Sequence, residues 1–263
     1  MAYLYVKNLW KIYDQQVVLE NVNLKVDVGE FVSIVGPSGC GKTTFLRLLL
    51  GMESPSRGFI HLEGKPLLAE PGKDRGIVFQ RYTLFPHLRV LANLRMGLEF
   101  QKNKWFGRLT GSSLRQANLQ AEEMLEAIGL SHARNLYPHQ LSGGMQQRLS
   151  IAQSVICKPK ILLLDEPFGA LDPGITEDMY KLVGDMWKDH HLTIFMVTHN
   201  IKEGFRLGNR VVVFDKVRLD ENDPRAYGAT ITHDIPFRRS IPRYIVESIY
   251  RGRQTSLFLD KHQ

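Results

Sequence analysis

Cysteine is scarce in this chain: Cys40 and Cys157 are the only two in 263 residues. They give no metal-ligand spacing and no disulfide framework, which excludes a disulfide-stapled scaffold or a cysteine-bound zinc module and suits a reducing cytosol. Long apolar runs are missing too. None approaches the roughly 18 residues that a bilayer-spanning helix needs. Met1-Ala2-Tyr3 lacks the charged and apolar regions of a secretion signal. Internal repeats and low-complexity tracts are absent. Acidic residues are the minority charge, 27 against 34 basic ones, for a net charge of +7. That balance permits nucleic acid or an anionic membrane as partner without choosing between them. What is present is ordinary for a globular protein, 43% hydrophobic and 23% charged. The length supports one large domain or a core domain with a subdomain.

The most informative stretch is Gly36-Pro37-Ser38-Gly39-Cys40-Gly41-Lys42-Thr43, which fits the phosphate-loop pattern G-x-x-x-x-G-K-[ST]. Phe31 to Val35 before it reads as a buried parallel strand, and Thr44 to Leu50 after it carries helix formers. A glycine-rich turn between strand and helix lets backbone N–H groups approach a polyphosphate, and the helix end adds partial positive charge. Lys42 is placed to reach the β- and γ-phosphates, and the Thr43 hydroxyl to ligand Mg²⁺.

Around this loop, residues Leu4 to Leu62 read as short strands separated by turns, with Tyr13 among them either packing or stacking on a base. Gly76 to Phe79 is a further apolar strand ending in the amide Gln80, and Arg81 to Leu88, with Pro86, reads as a loop. From Val90 the character turns helical. Gln101 to Arg115 is basic, with no acidic residue, and reads as a solvated insertion. Ala121, Met124, Leu125 and Ile128 then lie at helical spacing, and Gly129 suits the stop.

Leu141-Ser142-Gly143-Gly144-Met145-Gln146 opens another helix, which Ser142 can cap and whose glycines expose N–H groups. Its apolar stripe is Met145, Leu149, Ala152 and Ile156. Ile161 to Leu164 is a second buried strand, with Asp165 and Glu166 at the carboxyl end where α/β sheets gather ligands. Asp165 is placed to hold Mg²⁺, and Glu166 to polarise a water. Thr193 to Thr198 is a third core strand, ended by His199, a candidate γ-phosphate contact. Val211 to Phe214 is the last strand visible in the sequence. The tail after Asp215 predicts a short helix or two, with weak periodicity from Ile241 to Tyr250.

From Leu4 to Phe214 these motifs, in this order, resemble the ATP-binding-cassette (ABC) ATPases that drive membrane transporters. Leu-Ser-Gly-Gly-x-Gln before an acidic strand is specific to that family, whereas the phosphate loop is shared widely. The resemblance implies an α/β P-loop NTPase core with an N-terminal antiparallel β subdomain and an inserted α-helical subdomain. Residues 1–92 and 158–214 would form the core, 93–157 the helical part and 215–263 a tail of unassigned role. It implies two cassettes dimerised head to tail around two ATP and Mg²⁺. Tyr13 would stack on adenine, and Gly36 to Thr43 with Thr44 would bind the phosphates. Thr43, Gln80 and Asp165 would hold the metal. Glu166 would be the catalytic base, assisted by His199 and Gln80. Ser142, Gly143, Gly144 and Gln146 would act on the partner's nucleotide, and Asp172 would cross the interface.

Asp165 to Asp172 further resembles importer cassettes of the nitrate, sulfonate and taurine group. The implied partners are a second copy or paired cassette, an integral permease and an extracytoplasmic solute-binding protein, with no nucleic acid. The implied place is the cytoplasmic face of the cell (inner) membrane, as a peripheral subunit. Tyr82 and Phe85, in an apolar cluster with Leu84, Leu88 and Leu91, are expected to meet the permease. Ile151-Ala152-Gln153-Ser154 departs from the group's usual sequence after the signature. Export or lipid movement is the alternative within transport. A DNA or ribosome ATPase and a small-molecule kinase are alternatives outside it.

Overall fold

Alternating residues near the start of the chain build long antiparallel strands. β1 (Leu4–Tyr13) and β2 (Gln16–Val26) form a hairpin, and from Val22 to Val26 every second side chain of β2 is buried. The fully buried β3 (Phe31–Val35) leads through the glycine-rich loop into α1 (Lys42–Leu50). β4 (Arg57–Leu62), β5 (Lys65–Pro66) and β6 (Arg75–Val78) precede three helices, α2 (Val90–Lys102), α3 (Gly111–Ala127) and α4 (Gly143–Val155). The chain then alternates through β7 (Ile161–Asp165), α5 (Pro173–His190), β8 (Thr193–Thr198), α6 (Ile201–Leu207), β9 (Arg210–Asp215) and β10 (Thr230–Pro236). This computed structural model describes residues 2–80, 83–102, 109–169, 171–218, 220, 222–223 and 225–237.

Two sheets result. One is antiparallel, in the order β2-β1-β4-β5; the other runs β10-β9-β3-β8-β7-β6 and is parallel except for β10. Its register pairs Val35 with Thr198, Asp165 with Val197 and Val78 with Leu164, so four strands end level at one carboxyl edge. Alternation splits the core between two faces. Leu162, Leu164, Ile194 and Met196 pack with Leu149 and Val155 of the helical layer. Ile161, Leu163, Phe195 and Val197 pack with Phe45 and Leu49 of α1 and with the antiparallel sheet. Each such side chain contributes about 1.5–3 kcal/mol on full burial, which fixes the sheet edge that carries the loops. Among the described residues no helix is long and apolar enough to cross a membrane.

Three sequence expectations need correction. Val211 to Phe214 is not the last strand: β10 follows and lies antiparallel to β9 as an edge strand, and its alternation is hidden because none of its side chains is fully buried. The insertion is helical at both ends, since α2 continues to Lys102 and α3 begins at Gly111, before the apolar periodicity starts. Its middle, 103–108, lies outside the described residues, as do Tyr82 and 238–263. The phosphate-loop helix starts at Lys42, two residues earlier than its helix formers indicated.

Candidate functional site

At the carboxyl edge of β3 the loop turns through Gly39 (φ 78) and Gly41 (φ 87), both in the left-handed region that glycine tolerates. Gly41 caps α1 with no side-chain hydrogen bond, so the first N–H groups of the helix stand open to an anion. Gly36 is required by crowding: a Cβ there would lie 2.3 Å from the Phe214 carbonyl oxygen and 2.9 Å from Cys40 Sγ. Burial pushes the Cys40 thiol up, leaving it a packing residue under the loop. Ser38 and Gly39 are exposed and Pro37 is half-buried. Lys42 is buried, and its ammonium donates to the carbonyls of Gly36 at 3.0 Å and Pro37 at 2.7 Å. A third, long contact runs to Cys40 Sγ at 3.9 Å, so the loop holds this charge in place with all three of its donors.

The acidic strand meets the loop directly. Thr43 Oγ1 donates to Asp165 Oδ1 at 3.1 Å. Burial raises the Asp165 carboxyl above its ordinary range, only partly offset by the Thr43 hydroxyl. Glu166, one residue on, sits at φ 46, a left-handed conformation that costs a non-glycine residue about 1–3 kcal/mol. Its N–H donates to Val197 on the adjacent strand at 2.9 Å. The turn aims the carboxylate at two partners: Gln80 Nε2 donates to Oε2 at 3.1 Å, and His199 Nδ1 lies 3.6 Å from Oε1. Residues 43, 80, 165, 166 and 199 are therefore one connected cluster across the start of α1 and the ends of β6, β7 and β8. It sets two hard oxygen donors beside a carboxylate that can accept a proton, above N–H groups suited to phosphate.

Other candidate residues stand apart from this cluster. Ser142 caps α4, accepting from the Met145 N–H at 3.3 Å, and Ser142 and Gly143 are exposed. Gly144 is buried, and a Cβ on it would come 2.6 Å from Ile175 Cγ2, so the first turn of α4 packs tightly on α5. Gln146 Nε2 donates to the Leu141 carbonyl at 3.1 Å, fixing the approach to the helix. No contact joins these residues to the loop of their own chain among the described residues. Asp172 is the exposed N-cap residue of α5, and its side chain makes no cap hydrogen bond.

Tyr13 ends β1 outside the core clusters. Its hydroxyl donates to Glu53, and the Lys11 ammonium lies 4.7 Å over its ring. Burial first, then Glu53, raises the Tyr13 hydroxyl. Burial acts to raise the Glu53 carboxyl as well, but Tyr13 and Lys11 outweigh it and hold it low.

Sequence reading missed two buried polar residues, one bracing the loop after Gln80 and one bracing the strand end before His199. Asn93 in α2 is fully buried: its Oδ1 accepts from Phe85 N–H at 2.8 Å, and its Nδ2 donates to Leu88 at 2.9 Å. The signal available was an amide between Val90 and Leu94 on a core-facing stripe. Glu203 is also buried and bonds to the Thr198 hydroxyl and, at 2.8 Å, to the Tyr180 hydroxyl. Tyr180 in turn meets Phe168 edge-on at 5.1 Å. Asn200 does cap α6, its Oδ1 accepting from the Lys202 and Glu203 N–H groups. A capping pair is therefore the obvious reading of the spacing, and it conceals that the Glu203 carboxylate braces the strand leading to His199. Glu203→Ala should lower ATP turnover about 10–10²-fold through misplacement of His199, with KM for ATP little changed. Glu203→Gln should restore part of the rate; equal rates for Ala and Gln would exclude a positioning role for the hydrogen bonds.

Comparison with known proteins gives concordant matches. The family described as ABC transporter matches residues 19–169. The nitrate import ATP-binding protein NrtD of Synechocystis sp. is 38% identical over 251 residues, spanning 91% of this chain and 90% of that protein. The bicarbonate transport ATP-binding protein CmpD of the same organism is 38% identical over 243 residues, 90% of this chain and 80% of the relative. The sulfate/thiosulfate import ATP-binding protein CysA of Bradyrhizobium diazoefficiens is 38% identical over 218 residues, 82% of this chain and 62% of the relative. Among solved structures, a dimeric bacterial ABC transporter cassette is similar with TM-score 0.72 at 30% identity, covering 90% of this chain and all (100%) of that one. A post-hydrolysis state of that cassette, bound to ADP and Pi, is similar with TM-score 0.71.

Proposed function

This chain belongs to the ABC transporter family and is an ATP-hydrolysing cassette, and from that premise we propose that it powers import of a small polar or anionic solute. The observation that carries the chemistry is the joining of Thr43, Asp165, Glu166, Gln80 and His199 at one sheet edge. The loop N–H groups and Lys42 hold the ATP phosphates. Thr43, Asp165 and Gln80 present oxygen donors that fit Mg²⁺, and burial of Asp165 leaves its carboxylate short of a counter-charge that a cation would supply. The ion, when bound, supplies charge neutralisation on the phosphates. Glu166 takes the proton of the attacking water, oriented by Gln80, while His199 contacts the γ-phosphate. Tyr13 stacks on adenine with the ring face that Lys11 does not cover.

Ser142, Gly143, Gly144 and Gln146 lie away from this cluster, which supports a site completed by a second copy, with Asp172 at the junction. The loop 83–89, clamped by Asn93, leads from Gln80 to α2 and offers half-buried Phe85 to a permease helix. A peripheral subunit on the cytoplasmic membrane face, served by a solute-binding protein, completes the reading. Relatives named for nitrate, bicarbonate and sulfate favour an anion, and those named for import leave the export reading without support. A spermidine/putrescine import relative at 35% identity is consistent with solute choice lying in other subunits.

The test is reconstitution with its permease and binding protein in liposomes, measuring uptake of nitrate, bicarbonate, a sulfonate and spermidine with and without ATP. ATP-dependent accumulation of an anion but not spermidine is expected. Efflux from loaded vesicles, or uptake indifferent to ATP, would defeat the importer reading. Phe85→Asp should leave nucleotide binding by the isolated subunit within about twofold and abolish uptake, since a charge desolvated at such a contact costs several kcal/mol. Normal assembly and uptake by that variant would exclude the contact.

A further inference from the structure

The outer face of the antiparallel sheet is aromatic and basic. Val6 of β1, Leu24 and Val26 of β2, and Ile60 and Leu62 of β4 are buried on its inner side, so the residues between them face outward. Register sets Tyr5 opposite both Lys25 and His61, Lys7 opposite Phe59, and Trp10 opposite Arg57. The pairing slips between Lys7 and Trp10, so the buried Leu9 turns inward and Trp10 stays on the outer face. Lys7, Lys25, Arg57 and Phe59 are exposed, and Tyr5, Trp10 and His61 are half-buried.

Nothing acidic offsets these cations. Glu20 is the one carboxylate within β1, β2, β4 and β5, and it is buried, held by Arg218 and by the Gly228 N–H at 3.2 Å. Among the described residues Lys7, Lys25 and Arg57 form no ion pair; Lys25 lies 5.5 Å over the Tyr5 ring and Arg57 5.7 Å over the Trp10 ring. Phe59 meets Tyr5 edge-on at 5.9 Å and lies against the His61 ring at 4.4 Å. Three unpaired cations beside a strip of exposed rings call for a partner that is anionic and partly apolar.

We propose that this face binds the surface of an anionic lipid bilayer. The cations are spread, not convergent: residues 5 to 10 span about 17 Å along β1, and three strands span about 10 Å across. Such an array fits a charged plane, where each Lys or Arg meets headgroups and Trp, Tyr and Phe sit at the level of the interface. Single-stranded nucleic acid fits less well, because bases stack on free ring faces and here Lys25, Arg57 and His61 already lie over them. A second copy is disfavoured, since a two-fold contact would set the same cations against each other. The contact is the chain's own and does not depend on a permease.

Flotation of the purified full chain with vesicles tests this without permease or ATP, so its outcome is separate from that of the uptake assay. Phosphatidylcholine vesicles containing phosphatidylglycerol should bind at least about tenfold more tightly than phosphatidylcholine alone, and the preference should fade as salt rises. Lys7→Glu combined with Lys25→Glu should remove at least about tenfold of that affinity and leave ATP turnover unchanged. The same exchange at the exposed Lys181 and Lys188 of α5 alters net charge equally and should cost less than about threefold. Phe59→Ser should weaken binding about threefold, because apolar contact adds to the charge term. Equal affinity for the two vesicle types overturns the proposal, as does equal loss from the two lysine pairs, which would reduce binding to net charge. A labelled oligouridylate that binds more tightly than the vesicles, and is weakened by Phe59→Ser, overturns it in favour of nucleic acid. If Phe59→Ser lowers the melting temperature, the lysine pairs decide alone, since all four side chains are exposed.

Discussion

Glu166→Gln will bind ATP and turn it over about 10²–10⁴-fold more slowly, the range that general-base assistance supplies. The structure makes this substitution a clean one. Gln80 Nε2 faces Glu166 Oε2 at 3.1 Å and His199 Nδ1 faces Oε1 at 3.6 Å. An amide keeps the shape of the carboxylate; its oxygen can still accept from Gln80 while its NH2 turns toward His199, but it cannot take a proton from water. The loop, Lys42 and the Thr43–Asp165 pair are untouched, so nucleotide affinity should hold. With hydrolysis blocked, the ATP-bound dimer should accumulate and be visible by size-exclusion chromatography with ATP and Mg²⁺. Turnover of the purified variant near the wild-type rate would remove Glu166 from the role of base. Lys42→Ala should behave in the opposite way. It removes the buried ammonium that the Gly36 and Pro37 carbonyls position, so binding itself should weaken, measured as a raised Kd for a fluorescent ATP analogue.

Mixing two dead subunits should restore part of the activity. A Ser142→Arg subunit has an intact phosphate loop but blocks the one it faces across a dimer, while Lys42→Ala has an intact signature and a failed loop. In a mixed dimer both lesions fall on one composite site, and the other site carries neither. Each variant alone should fall at least about 10²-fold, because loss of one phosphate donor set in a preorganised site costs that much. Equal mixing should return up to about a quarter of wild-type turnover, half the dimers being mixed with one working site each. The geometry supports this design: Ser142 and Gly143 are exposed at the start of α4 and touch nothing in their own chain's loop. No recovery across mixing ratios, with mixed dimers demonstrated, would place the signature's action within its own subunit.

Much of the site was legible because its parts are runs of backbone pattern. A glycine-rich turn between strand and helix, and an acidic pair after four apolar residues, are both local, and the sheet brings them level. The carboxyl-edge alignment of Gln80, Asp165 and His199 followed from reading each as a strand end. What stayed hidden depends on partners distant in sequence. Glu203 finds Tyr180, 23 positions away, and Asn93 folds back on a loop that sequence reading showed only as apolar. β10 was missed because an edge strand buries little, so its alternation carries no hydrophobic signal. The start of α3 was missed for the same reason, since Gly111 and Ser112 face outward. The left-handed turn at Glu166 has no sequence signature either, because nothing in glutamate announces it.

That turn sets stability against turnover at a single position. Glycine, which relaxes at φ 46, should recover part of the roughly 1–3 kcal/mol that glutamate stores there, less about 0.4–1 kcal/mol for its greater freedom in the unfolded chain. Such a replacement also discards the carboxylate. A heat-tolerance screen of random variants would therefore enrich changes at residue 166 that a growth screen would reject. A cassette retired from hydrolysis in evolution has a thermodynamic incentive to lose this residue first, and the loss would leave its fold better settled than before.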